Sequence, residues 1–274
     1  MDFFQQVVLS VTGALSIFSS IYNTNTAPYP NYFDNSRSDN LAVYWGQDSY
    51  GSTNPGDAAG YQHNLSYYCQ DDVISAIPLA FLNVFFSTGN EPEINFANSC
   101  SSTSDPTFPG TALANCQFMA SDIEACQAQG KIVTISLGGA TGNAGFSSDA
   151  QGEAFAQTIW DLFLGGSSPT RPFGNAVLDG IDLDIEGGSS TGFAAFVTKL
   201  RSLMATGNKQ FYVTGAPQCP FPDAYLGAVL NAVGFDAVYV QFYNNYCGNA
   251  NPSVSRLITR GSVIDDYAMA GLEL

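Results

Sequence analysis

Short apolar, β-branched runs recur along the chain at Leu41–Trp45, Leu79–Phe86, Lys131–Leu137, Val177–Ile185, Phe211–Thr214 and Ala237–Phe242. Runs of this length, bounded by Gly, Pro, Asn and Ser, predict strands. Between them lie helix-compatible stretches at Cys116–Gln129, Ala150–Phe163, Phe193–Leu203 and Asp223–Asn231. Such alternation predicts a parallel sheet covered by helices, either a doubly wound open sheet or a closed (β/α)8 barrel. No GxGxxG or P-loop opens a helix, which lowers the dinucleotide and nucleotide readings and leaves no expected cofactor. The chain divides into a leader-like segment over 1–22, a linker or arm over 23–40 rich in Asn, Ser, Thr, Pro and Tyr, a strand–helix domain over 41–255 and a tail over 256–274.

One predicted strand breaks the apolar rule. In Val177-Leu178-Asp179-Gly180-Ile181-Asp182-Leu183-Asp184-Ile185-Glu186, alternation puts Asp182, Asp184 and Glu186 on one face. Ile181, Leu183 and Ile185 take the other face. An exposed edge strand would solvate the acids harmlessly. A sheet covered by helices is normally apolar on both faces, so here the acids point inward. Carboxylates spaced about 7 Å along such a line cost several kcal/mol unless they share protons and hydrogen bonds. Close carboxylates split their titration, so one stays protonated near neutrality, as a general acid requires. Glu186 stands last, at the C-terminal strand end where barrel enzymes place their chemistry. A divalent cation would also suit three carboxylates, but no EF-type loop is present and no metal is expected. Asp179 has the opposite parity and is assigned a structural role.

Charge and cysteine content narrow the compartment and the partners. The net charge is −16, which disfavours nucleic acid and anionic membrane surfaces and suits a neutral or cationic ligand. A single histidine, His63, leaves little room for Ser–His, Cys–His or His-rich metal chemistry. The six cysteines, at wide spacing and without CxxC, point to disulfides and an oxidising compartment. The apolar run Val7 to Phe18 is too short to span a membrane and resembles a signal-peptide core, though only Asp2 and no basic residue precedes it. A secreted, monomeric protein is expected. Asn64-Leu65-Ser66 is an acceptable N-glycosylation triplet.

Several segments carry a family resemblance. Asp179-Gly180-Ile181-Asp182-Leu183-Asp184-Ile185-Glu186 resembles the DxxDxDxE signature of family 18 glycoside hydrolases. Ser136-Leu137-Gly138-Gly139 resembles their SxGG motif. Ala42-Val43-Tyr44-Trp45-Gly46-Gln47 is similar to the first strand of plant-type (class III) chitinases, which fungi share. Ala216–Asp223 and Val240–Asn245 resemble their fifth and sixth strand ends. The resemblance implies a (β/α)8 barrel and endo-acting hydrolysis of chitin, β-1,4-linked N-acetylglucosamine, by a retaining, substrate-assisted route. It implies Glu186 as the acid, Asp184 orienting the acetamido group, Asp182 sharing a proton with Asp184, and Tyr243 donating to the acetamido oxygen. Tyr44, Gln47, Gln241 and Asn244 would bind sugar. Implied disulfides are Cys69–Cys126, Cys100–Cys116 and Cys219–Cys247.

The resemblance ends after Cys247, where the family continues with two more βα units and a tryptophan under the sugar site. The only tryptophans here are Trp45 and Trp160. The expectation is therefore a barrel incomplete after its sixth strand, with two open edges that favour aggregation and lower stability and activity. A defective chitinase-like protein that at most binds chitin oligosaccharides is the alternative reading.

Overall fold

The structure is a computed structural model that describes residues 32–37 and 39–247. The leader-like segment 1–22 and the tail 256–274 lie outside the described residues. The strands are β1 (Ala76–Val84), β2 (Glu93–Phe96), β3 (Cys100–Ser101), β4 (Ile132–Gly138), β5 (Gly180–Asp184), β6 (Tyr212–Gly215) and β7 (Ala237–Val238). The helices are α1 (Ser49–Thr53), α2 (Leu65–Tyr68), α3 (Ala120–Ala128), α4 (Asp149–Phe163), α5 (Phe193–Met204) and α6 (Gly227–Ala232).

The parallel strands add in chain order. Ala42 and Trp45 bridge in parallel to Ala76 and Leu79 of β1. From there the order runs β1, β4, β5, β6, β7, all parallel. A doubly wound sheet reverses its strand order at a switch point; this one never does, which is barrel connectivity. Curvature agrees, because Tyr44 from the first extended segment meets Tyr239, which follows β7, with ring centroids 6.4 Å apart.

Five of the six predicted runs hold a strand, with shifted ends, and Leu41–Trp45 is instead an extended segment joined to β1 by the isolated bridges of Ala42 and Trp45. β1 starts at Ala76, three residues before the predicted run, because Ala76, Ile77 and Pro78 already pair with Ile132, Val133 and Thr134. β5 is shorter than the predicted run, since Leu178 donates instead to the Phe163 carbonyl at the end of α4. The antiparallel β2–β3 hairpin was not expected: strands of four and two residues are too short to show a period.

Helices cover the sheet through their apolar faces. Ser148 caps α4 by accepting from the Gln151 N–H. α4 and α5 clamp a cluster of aromatic rings in which Phe85 stacks on Phe155 at 4.6 Å and Phe146 meets Phe193 at 4.8 Å. All three expected disulfides are present, with Cα–Cα separations of 5.0, 6.1 and 6.0 Å for Cys69–Cys126, Cys100–Cys116 and Cys219–Cys247.

Asp179 faces away from the other three acids and is tied to the backbone and to a lysine. Its carboxylate accepts from the Val133 N–H and the Gln127 amide, both at 2.8 Å, and pairs with Lys209 at 2.7 Å. The start of β5 is thereby fixed between β4 and the Lys209 segment. Gly180 follows at φ 151°, where a Cβ would stand 1.9 Å from the Tyr212 carbonyl oxygen. Gly180→Ala is therefore expected to lower folding stability by about 3 kcal/mol or more, through backbone strain and separation of β5 from β6. An unchanged urea midpoint would show that β6 gives way freely.

Candidate active site

Pairing register builds the centre of the site. Ser136 of β4, Asp182 of β5 and Thr214 of β6 lie in one row across three strands. All three are fully buried. Asp182 Oδ2 accepts from Ser136 Oγ at 2.7 Å and from the Tyr44 hydroxyl at 2.8 Å, while Oδ1 accepts from Thr214 Oγ1 at 2.7 Å. Burial pushes the Asp182 carboxyl above its ordinary range, and the three hydroxyl donors oppose that rise. Oxygens so occupied by hydroxyl donors suit an anchored carboxyl better than a cation ligand.

Two residues further along β5, Asp184 is also buried. It accepts from Gln241 Nε2 at 2.6 Å and hydrogen-bonds to the carboxyl of Glu186. Asp184 therefore has a carboxyl neighbour on each side, Asp182 acting through its charge and Glu186 through its charge and a hydrogen bond. Burial raises the Asp184 pKa to about 8, helped by the charges of Asp182 and Glu186. Burial also raises Glu186, and its bond from Asp184 opposes that. Both carboxyls are thus biased toward their protonated forms, and Glu186 is the more exposed of the two.

A cleft of about 380 Å³ opens beside this pair, lined by Tyr44, Phe81, Asp184, Tyr239, Gln241 and Tyr243 among others. Tyr44 is 38% exposed, so its ring lines the cleft although its hydroxyl reaches the buried Asp182. That setting pushes its pKa well up, mainly through burial and then through the Asp182 and Asp184 charges. Tyr243 is 56% exposed, and burial of its inner part with the charges of Asp184, Glu186 and Asp182 raises its pKa as well. It remains a proton donor beside the acids. Gln241 is buried, and its amide also donates to the Ala216 carbonyl at 3.0 Å.

The remaining expected residues divide between two places. Gln47 sits apart from this cleft, in a neighbouring recess it shares with Phe81, Gly138 and Gly139. Its amide nitrogen donates to the carbonyls of Ala80 and Asn95 at 2.8 and 3.0 Å. Gly138 has φ 112°, and a Cβ there would fall 2.2 Å from the Asp184 carbonyl oxygen. Gly139 donates its N–H to that same oxygen at 2.8 Å. The glycine pair thus lets β4 approach the C-terminal end of β5. Asn244 is exposed, in a left-handed turn at φ 55°, and does not line the cleft.

The sequence model described as Glycosyl hydrolases family 18 matches residues 40–266, well over half the chain. The chain belongs to this family. A "Chitinase 1" of Rhizopus niveus is 54% identical over 214 residues, covering 78% of this chain and 40% of the relative. An "Endochitinase" of Saccharomyces cerevisiae is 47% identical over 216 residues, covering 78% of this chain and 35% of the relative. The chain thus spans less than half the length of these curated relatives. Among solved structures, a chitinase from Ipomoea carnea aligns with TM-score 0.63 at 37% identity, covering 75% of this chain and 68% of that one.

Two contributors to the family 18 site escaped the sequence reading. Thr214 ends an apolar run in the sequence, yet it donates one of the three hydrogen bonds to Asp182. Tyr239 lines the cleft, and burial with the Asp182 charge raises its pKa strongly. The available signal was parity. A hydroxyl residue inside an apolar strand, in the row of an inward acid, satisfies that acid.

Proposed function

We propose that this chain hydrolyses chitin, cutting within the polymer and retaining the anomeric configuration, with the substrate's acetamido group as the nucleophile. The observation that carries this reading is the buried Asp184 with Glu186 hydrogen-bonded to it, at the edge of a cleft that Tyr44 and Tyr243 also line. Glu186 gives its proton to the glycosidic oxygen, and the C1–O bond breaks as the acetamido carbonyl oxygen attacks C1. Asp184, now ionised, accepts the acetamido N–H and balances the positive charge of the oxazolinium. Tyr243 donates to the acetamido oxygen, and Tyr44 and Gln241 line the sugar subsite. Gln47, in the neighbouring recess, and Asn244, on the exposed turn after Tyr243, are assigned to sugar contacts outside this cleft. Water then attacks C1, Glu186 takes its proton, and the product is β.

Three disulfides support secretion as the setting. Among the described residues no helix is long and apolar enough to cross a membrane. The name of the Saccharomyces relative supports the endo mode. The test is a pair of substrates. N-acetylglucosamine oligosaccharides are expected to be cut, and fully deacetylated glucosamine oligosaccharides of the same length left intact. Equal rates on both would rule out the acetamido nucleophile.

A further inference from the structure

A second cavity, of about 400 Å³, lies away from the acids and is lined by Trp45, Tyr61, Asn64, Asn98, Phe118 and Asp122 among others. Its size and its mixture of rings with a few polar groups are those of a small-molecule site. Phe118 is 61% exposed. Asn64 stands at the N-cap position of α2, where it makes no capping bond, and its side chain is exposed. The flanking residues are fixed: Leu65 is buried and the Ser66 N–H donates to Asp122 Oδ2 at 3.3 Å. Gln62, on the same wall, is held by the Gly46 N–H at 2.9 Å and Ser99 Oγ at 3.2 Å. Asn64-Leu65-Ser66 is also the chain's single Asn-X-Ser/Thr triplet without proline in the middle.

We infer that Asn64 carries an N-linked glycan whose first N-acetylglucosamine beds in this cavity. The apolar C–H face of the sugar covers the open Phe118 ring, and its hydroxyl and acetamido groups meet Asn98 and Asp122. A tethered sugar needs little intrinsic affinity, because attachment to the cavity's own lip makes its docking intramolecular. In the transfer, Asn64 Nδ2 bonds to C1 of the reducing-end sugar of a polyprenyl-diphosphate oligosaccharide. The C1–O bond to the diphosphate breaks, the diphosphate leaves with the electron pair, and the amide gives up one proton. The aromatic residues beside the triplet thereby gain a role that the hydrolytic site does not give them.

The test is to secrete the 274-residue chain from a yeast host behind that host's leader and weigh it intact before and after endoglycosidase H. The expected result is a glycoform that trims to one residual N-acetylglucosamine on the Asn64 peptide, absent from Asn64→Gln and Ser66→Ala. Secreted, disulfide-bonded protein with unmodified Asn64 would overturn the assignment. Docking is read separately by thermal unfolding. Trimmed wild type is expected to melt about 2–4 °C above Asn64→Gln, the size of shift that one modest contact gives in a domain of this length. In the Phe118→Ala background that difference is expected to vanish. Equal melting of trimmed wild type and Asn64→Gln, or a difference that survives Phe118→Ala, would remove the sugar from the cavity.

Discussion

Glu186→Gln is expected to lower kcat on a chitin oligosaccharide by about 10²–10⁴, the usual contribution of a positioned general acid. Glutamine keeps the length of the side chain and can still accept the Asp184 proton in a hydrogen bond, so the cleft should stay intact. What it lacks is the proton for the leaving oxygen and the base for the incoming water. Both steps should slow, and substrate affinity should change little. Activity within a few-fold of wild type, measured on purified variant at equal folded fraction, would take Glu186 out of the reaction.

Asp184→Asn is expected to stabilise the protein at alkaline pH while also impairing hydrolysis. The native Asp184 pKa is raised to about 8 from an ordinary value of 3.8. Below the lower value both folded and unfolded chains hold the proton, and Asp184 carries no penalty. Between the two values only the folded chain holds it, so stability falls as pH rises; above about 8 the loss is complete. For so large a shift the loss is on the order of several kcal/mol. Asparagine does not titrate, so the variant should gain on wild type as pH climbs. Urea midpoints at pH 5 and pH 9 measure this, and an equal difference at both pH values would contradict a buried, proton-holding Asp184. Wild-type activity should decline over the same alkaline range, as the pair loses the proton that Glu186 transfers.

Why the sequence disclosed so much here has a physical basis. Inward carboxylates in a covered sheet are costly, so Asp182, Asp184 and Glu186 stand out against Ile181, Leu183 and Ile185 without any structure. The same parity argument set Asp179 apart, and its bonds to Val133, Gln127 and Lys209 agree. Five parallel strands and the extended segment bridged to β1 followed from apolar runs, because barrel strands bury both faces. Partners supplied by other strands were harder to see. Thr214 and Ser136 matter through their register with Asp182, and register is a long-range property. The Asp184–Glu186 hydrogen bond was equally hidden, since it depends on the path the chain takes where β5 ends at Asp184. The β2–β3 hairpin left too few residues for a pattern to show.

The central claim, that the substrate's acetamido group displaces the leaving sugar at C1, is tested most directly by the anomer first released. Proton NMR should follow the cleavage of a β-linked N-acetylglucosamine oligosaccharide from its first minutes, before mutarotation mixes the forms. The account predicts that the β-anomer appears first and that the α-anomer grows in only at the mutarotation rate. An α-anomeric first product would mean direct attack by water from the opposite face, and would contradict the roles given to Asp184 and Tyr243.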